Sequence, residues 1–155
     1  MSIVRKLFEF FDLIKPAEIA HAHCDIPCGI YDKFPSMMAA QTVLKMVQKI
    51  KALPTEGTPE QMLQSRNSFV RMVKVKEEHA ELCKRELLIL WTDYFKPEHL
   101  KIFPNLHEKI WNACKLCSKN KQEVNEESAN QLVEAVREIG SMWEQAEEAK
   151  KKIKS

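Results

Sequence analysis

The chain reads as all-α, an up-down four-helix bundle with an N-terminal hook. Three observations predict it. Apolar residues recur at helical spacing over four long stretches, with no alternating strand pattern between them. Prolines and capping residues, not hairpin turns, punctuate those stretches. The one compact cluster of chemistry-bearing side chains, His23-Cys24-Asp25-Ile26-Pro27-Cys28-Gly29-Ile30-Tyr31, stands ahead of all four.

Residues 1–22 place Ile3, Leu7, Phe10, Phe11 and Ile14 on one helical face, which Pro16 terminates. Ala20-His21-Ala22 imitates a secretory cleavage site, but Glu9, Asp12 and Lys15 interrupt every apolar run such a signal needs. Two readings follow: an ordinary first helix, or a leader removed inside the cell by a processing peptidase, leaving 23–155 as the working domain.

Beyond the hook, Met37, Ala40, Leu44 and Val47 predict a helix over about 35–52, ending at Leu53-Pro54. Thr58-Pro59-Glu60-Gln61 is a start signal: Thr58 as N-cap, Pro59 in the first turn, Gln61 closing a capping box. Met62, Phe69, Val73, Ala80, Cys83, Leu87 and Leu90 then keep register until Pro97 stops the helix. Leu106, Ile110, Ala113 and Cys117 mark a third helix. Asn125 caps a fourth, whose face is Leu132, Val136, Ile139, Trp143 and Ala146. Short connections between long helices give an up-down order.

Composition narrows the function. Charges nearly cancel at 24 basic and 22 acidic residues, which argues against a nucleic-acid partner. The three glycines are too few and too scattered for a phosphate-cradling loop. No apolar run approaches the ~18 residues of a membrane span. Five cysteines, an odd number, speak against a secreted disulfide framework and for a reducing, cytoplasmic setting. A di-iron bundle needs Glu-x-x-His on two helices, but Lys76, Lys96 and Pro104 stand three before His79, His99 and His107.

The cluster has the makings of a metal-binding hook. Cleavage before His23 would free an α-amine; with the Cys24 amide nitrogen, the Cys24 thiolate and the Cys28 thiolate it offers two nitrogens and two sulfurs. Such a set in a plane suits Ni(II) or Cu(II) better than zinc, and the His23 imidazole adds a fifth donor. Uncleaved, the amine is a peptide nitrogen and the set is incomplete. A local Cys24–Cys28 disulfide and a zinc site remain alternatives at this point, as does a non-catalytic helical metal-binding or interaction module.

His-Cys-Asp-x-Pro-Cys-Gly-x-Tyr-Asp at 23–32 resembles the hook that opens the mature nickel-type superoxide dismutases. Leu90-Trp91-Thr92-Asp93-Tyr94-Phe95-Lys96-Pro97, followed by His99, Pro104 and Leu106-His107, is similar to that family's other signature. The resemblance implies disproportionation of superoxide to oxygen and hydrogen peroxide at one nickel ion, in a homohexamer of bundles. It implies His23, Cys24 and Cys28 as metal ligands, and Tyr31 over the metal as gate and hydrogen-bonding group. Asp25 would fix the turn, Pro27 would shape it, Tyr94 would pair with Tyr31, and Lys96 would brace the backbone near Pro27. Two positions depart from the pattern. Ala39 stands where some members have a carboxylate, and His79 where some have an arginine beside the axial imidazole. His79 is therefore a candidate for orienting His23, against the alternative of a purely structural histidine.

Overall fold

A computed structural model describes residues 35–154, with side chains as far as Ala149. The hook and the segment before it lie outside the described residues. Within them the chain is an up-down bundle of four long helices, with no strand among the described residues. The order is α1 (Pro35–Lys51), α2 (Pro59–Ile89), a π-helical turn (Leu90–Tyr94), the short α3 (Pro97–Leu100), α4 (Leu106–Gln122) and α5 (Glu126–Lys154). Each long helix packs on its neighbour in sequence, and α5 closes the ring against α1.

The start of α2 follows from its capping residues. Gln61 N–H donates to Thr58 Oγ1 at 3.3 Å, and Thr58 N–H donates to Gln61 Oε1 at 2.9 Å, the reciprocal pair of a capping box. Gly57 is required beside it: its φ is +157°, and an added Cβ would stand 2.7 Å from Gln61 Oε1. Asn125 Oδ1 accepts the Ser128 N–H at 3.1 Å and caps α5.

The apolar faces agree with the sequence in the second half of the chain and shift in the first. Leu106, Ile110, Ala113 and Cys117 of α4 are all buried, as are Leu132, Val136, Ile139 and Ala146 of α5. Burying each of the larger aliphatics contributes roughly 1.5–3 kcal/mol. In α1 the core line is Ala39, Ala40, Val43, Met46 and Val47, while the expected Met37 and Leu44 flank it half-buried. In α2 the expected Phe69 is 44% exposed, beside Leu63 and Val70, which are also exposed.

The reason is the length of α2. Lys76 Nζ donates to the Lys121 and Glu123 carbonyls at 3.0 and 3.2 Å and to the Asn120 carbonyl, so the end of α4 lies level with Lys76. The α2 residues before Lys76 therefore overhang α4 by about 25 Å at 1.5 Å per residue. The 52–58 connection runs beside this overhang, held where Ser65 Oγ–H donates to the Pro54 carbonyl at 3.1 Å.

Candidate functional site

The chain enters the described bundle at Pro35, so whatever residues 1–34 do is attached at this end. Pro35 and Met37 of α1, Ile89 and Leu90, and Val136 and Trp143 of α5 surround an apolar cavity of about 370 Å³. Three sequence-distant segments thus meet where the hook joins.

The Leu90–Pro97 block forms one wall of this end. Instead of running on to Pro97, the α-helix stops at Ile89 and widens into the π-helical turn Leu90–Tyr94. Phe95 N–H then donates to the Leu90 carbonyl at 3.0 Å, an i to i−5 bond. One extra residue per turn swings the following side chains around the axis, and such bulges recur at functional sites. Here the swing sets Tyr94 among three rings. Its centroid lies 5.1 Å from Phe95, 5.8 Å from His99 and 5.8 Å from Trp143.

The Tyr94 hydroxyl donates to Glu147 Oε1 of α5 at 2.7 Å. Trp143 and Glu147 are four residues apart and share one face of α5. The indole meets the ring of Tyr94, and the carboxylate meets its oxygen. Lys96 begins α3 with its side chain exposed, and its N–H donates to His99 Nδ1 at 2.9 Å. That bond leaves the neutral His99 ring with its proton on Nε2. On the outer side, Trp91 Nε1–H donates to His107 Nδ1 at 2.7 Å.

Of the candidate residues, Tyr94 and Lys96 therefore share one end of the bundle. His79 lies elsewhere, fifteen residues before Tyr94 and about 22 Å away along the helix axis. It is 5% exposed, and its Nδ1–H donates to the Val75 carbonyl at 2.8 Å. Ala39, where the family pattern has a carboxylate in some members, is fully buried in the core. His23, Cys24, Asp25, Pro27, Cys28 and Tyr31 lie outside the described residues.

The scaffold cysteines are buried and free. The Cys117 hydrogen bond, with burial, raises the Cys83 thiol well above its usual value, and burial pushes Cys114 up to about 11. The Cys83 and Cys114 thiols therefore stay protonated at neutral pH and make poor metal ligands. Among the described residues, no three His, Cys, Asp or Glu side chains come together to hold a metal. The donor set at 23–28, two thiols with nitrogen donors beside them, does suit nickel.

Sequence reasoning missed Glu147. Its only signal was the four-residue spacing from Trp143, which cannot by itself say what α5 faces.

The sequence profile of the family described as nickel-containing superoxide dismutase matches residues 18–147, taking in both the hook and the Trp91–Pro97 block. The superoxide dismutase [Ni] of Streptomyces seoulensis is 31% identical over 133 residues, covering 85% of this chain and 94% of the relative. That of Streptomyces coelicolor is 32% identical over the same length, with the same coverage. A crystal structure of Ni-containing superoxide dismutase with Ni-ligation corresponding to the oxidized state is similar at 29% identity and a TM-score of 0.64. It is matched over 81% of this chain and 99% of its own. The native 1.30 Å structure of nickel superoxide dismutase gives 26% identity and a TM-score of 0.60 over the same shares. Matched by the family profile through both signature blocks and by relatives over most of its length, the chain belongs to the nickel-containing superoxide dismutase family.

Proposed function

We propose that this chain, trimmed to begin at His23, converts two superoxide ions and two protons into oxygen and hydrogen peroxide. The observation that carries the reading is the family match through both signature blocks, the second of which forms the wall beside Pro35. The His23 amine and imidazole, the Cys24 amide nitrogen and thiolate, and the Cys28 thiolate would hold the nickel. When bound, nickel supplies one-electron exchange with superoxide, and thiolate donors suit its higher oxidation state.

The chain's own residues handle access and orientation. Tyr31 restricts the site to small species and offers a phenol hydrogen bond, which limits oxidation of the two thiolates by larger peroxides. Tyr94 pairs with Tyr31, Lys96 braces the backbone near Pro27, and Asp25 fixes the turn between the cysteines. The two protons come from solvent, relayed by Tyr31 or a bound water. The twelve residues from His23 to Phe34 reach at most about 40 Å when extended. That reach is long enough to lay a folded hook against Tyr94. His79, by contrast, lies about 22 Å along the helix from Tyr94. Buried and bonded to the Val75 carbonyl, it fits the structural alternative better than contact with a His23 seated there.

The working form is a homo-oligomer, a homohexamer by family resemblance. The exposed Leu63, Phe69 and Val70 on the α2 overhang support it, because apolar side chains projecting beyond the bundle suit burial against further copies. No helix among the described residues is long and apolar enough to cross a membrane. A cytoplasmic setting suits five cysteines of which the three described are free.

Intact mass and metal analysis of the natural protein, with a superoxide-decay assay, test the reading. A chain beginning at His23, carrying one nickel and active, is the expected result. An active form beginning at Met1, or turnover without nickel, overturns it. A processed, nickel-loaded but inactive chain would instead reveal a metal-binding module without catalysis.

A further inference from the structure

We propose that the apolar cavity beside Pro35 binds a small organic ammonium ion, whose apolar ring or short chain fills the space while its cationic head meets Glu86.

Three helices build the cavity. Met37 comes from the first turn of α1. Glu86, Ile89 and Leu90 are three and four residues apart, so they share one face of α2 and of the turn that follows it. Val136, Gly140 and Trp143 repeat that spacing on α5. Apart from Ser36, Glu86 and the indole nitrogen of Trp143, the lining side chains are hydrocarbon or thioether. The volume, about 370 Å³, falls in the range of small-molecule sites. A dry apolar cavity of about 150 Å³ already takes benzene.

Gly140 keeps the space. It lies inside α5 between Val136 and Trp143, where a larger apolar residue would continue the stripe. A glycine in a helix interior weakens the helix relative to alanine. Its neighbours do not require it. A Cβ built at 140 meets nothing within 4 Å among the described residues, whereas one at Gly57 runs into Gln61. The missing side chain relieves no clash; it leaves volume.

Glu86 gives the ligand its sign. It is the one charged side chain in the lining, and its side chain is a quarter exposed. Arg85 Nε stands 3.9 Å from Glu86 Oε1, beyond hydrogen-bond reach, and the arginine side chain is itself 68% exposed. A carboxylate at the edge of an apolar wall repels an anion and rewards a cationic donor. The ligand class that satisfies wall and carboxylate together is an ammonium carrying one ring or a short chain.

The test is a titration of the natural protein, labelled with ¹³C at its seven methionine methyl groups. The Met37 signal is identified through Met37→Leu. Phenethylammonium and its neutral isostere 2-phenylethanol are the probes. The cation is expected to move the Met37 signal with a Kd below about 1 mM, and to bind roughly tenfold more tightly than the alcohol. Glu86→Gln should erase that preference while the alcohol binds as before. Gly140→Phe should weaken both probes at least roughly tenfold, because its ring takes their place.

A Met37 signal that stays silent at about 10 mM cation overturns the proposal and leaves the space to the residues before Pro35. A signal that follows protein concentration and not the cation overturns it in favour of a contact between copies. Equal affinity for the two probes in the native protein, or a preference that survives Glu86→Gln, overturns the assignment to an ammonium. If Gly140→Phe does not fold, Gly140→Ala replaces it. That variant should melt about 3 °C higher and bind roughly threefold more weakly, and native affinity in it likewise overturns the proposal. Neither nickel nor turnover enters the measurement, so the outcome is separate from that of the proposed function.

Discussion

Where α4 gives way to α5, the bundle is tied by polar groups turned inward. Lys76, 2% exposed, donates to three carbonyls at the end of α4. Asn120 Nδ2 donates to the Ser128 carbonyl and hydroxyl at 3.0 and 3.1 Å, and Lys51 Nζ pairs with Glu126 at 2.5 Å. At the opposite end, where the chain enters at Pro35, the ties are aromatic and an apolar cavity lies beside them. The difference separates two demands. A charge buried among carbonyls locks helix ends together and leaves no room for a ligand. Rings packed beside a cavity, of which Trp143 alone lines it, hold the helix ends while leaving that cavity open.

The comparison breaks most sharply at the hook. Cys28→Ser should abolish nickel binding and lower turnover by more than about 100-fold. His23→Ala should retain part of the nickel while losing most turnover. Neither should shift the urea midpoint of the bundle, as measured by far-UV circular dichroism. A hook variant that unfolds the scaffold would show that the two ends are not independent.

Next comes the polar end. Lys76→Ala leaves α4 carbonyls without a donor and opens a void, and is expected to cost on the order of 3 kcal/mol in denaturant unfolding. Lys76→Met refills the volume but not the hydrogen bonds, and should fall between the native protein and Lys76→Ala. Turnover per folded, nickel-loaded molecule should be unchanged in both. Thr58→Ala, on the overhang, removes one half of the capping box and should cost about 1 kcal/mol without touching nickel content.

The smallest effect is on acid stability. Hydrogen bonds from Lys51 and then Gln48 hold the Glu126 carboxyl below its ordinary value of 4.5. Its contribution is therefore complete above pH 4.5 and is lost as pH falls through the lowered folded value. The pair is exposed, so the change is slight. Glu126→Gln should show a shallower fall in melting temperature between pH 5 and pH 3 than the native chain.

The sequence made the polar end and the later helices more legible than the entry end. The α4 and α5 faces repeat cleanly, and Thr58 and Asn125 announce caps through local bonds that need no tertiary partner. The α1 stripe was displaced because Met37 and Leu44 look as apolar as Val43, and packing alone decides which of them faces inward. Pro97 announced that α2 must stop, but not that the helix would first widen at Leu90. That widening, and the partnership of Tyr94 with Glu147, depend on the axial register of α5 against α2. Either Glu144, Glu147 or Glu148 could have met the turn by composition; the seat of Trp143 selects Glu147. The candidate donor set stood out in the sequence because it is local, with all its members within six consecutive residues.

The sealed thiols of α2 and α4 bear on how such a protein ages. Cys83, Cys114 and Cys117 stay covered, and the first two are held protonated, so these three thiols are shielded from the hydrogen peroxide that the enzyme makes. A spent molecule would keep its folded shape. The amount of protein in a cell and its remaining capacity would then drift apart with time.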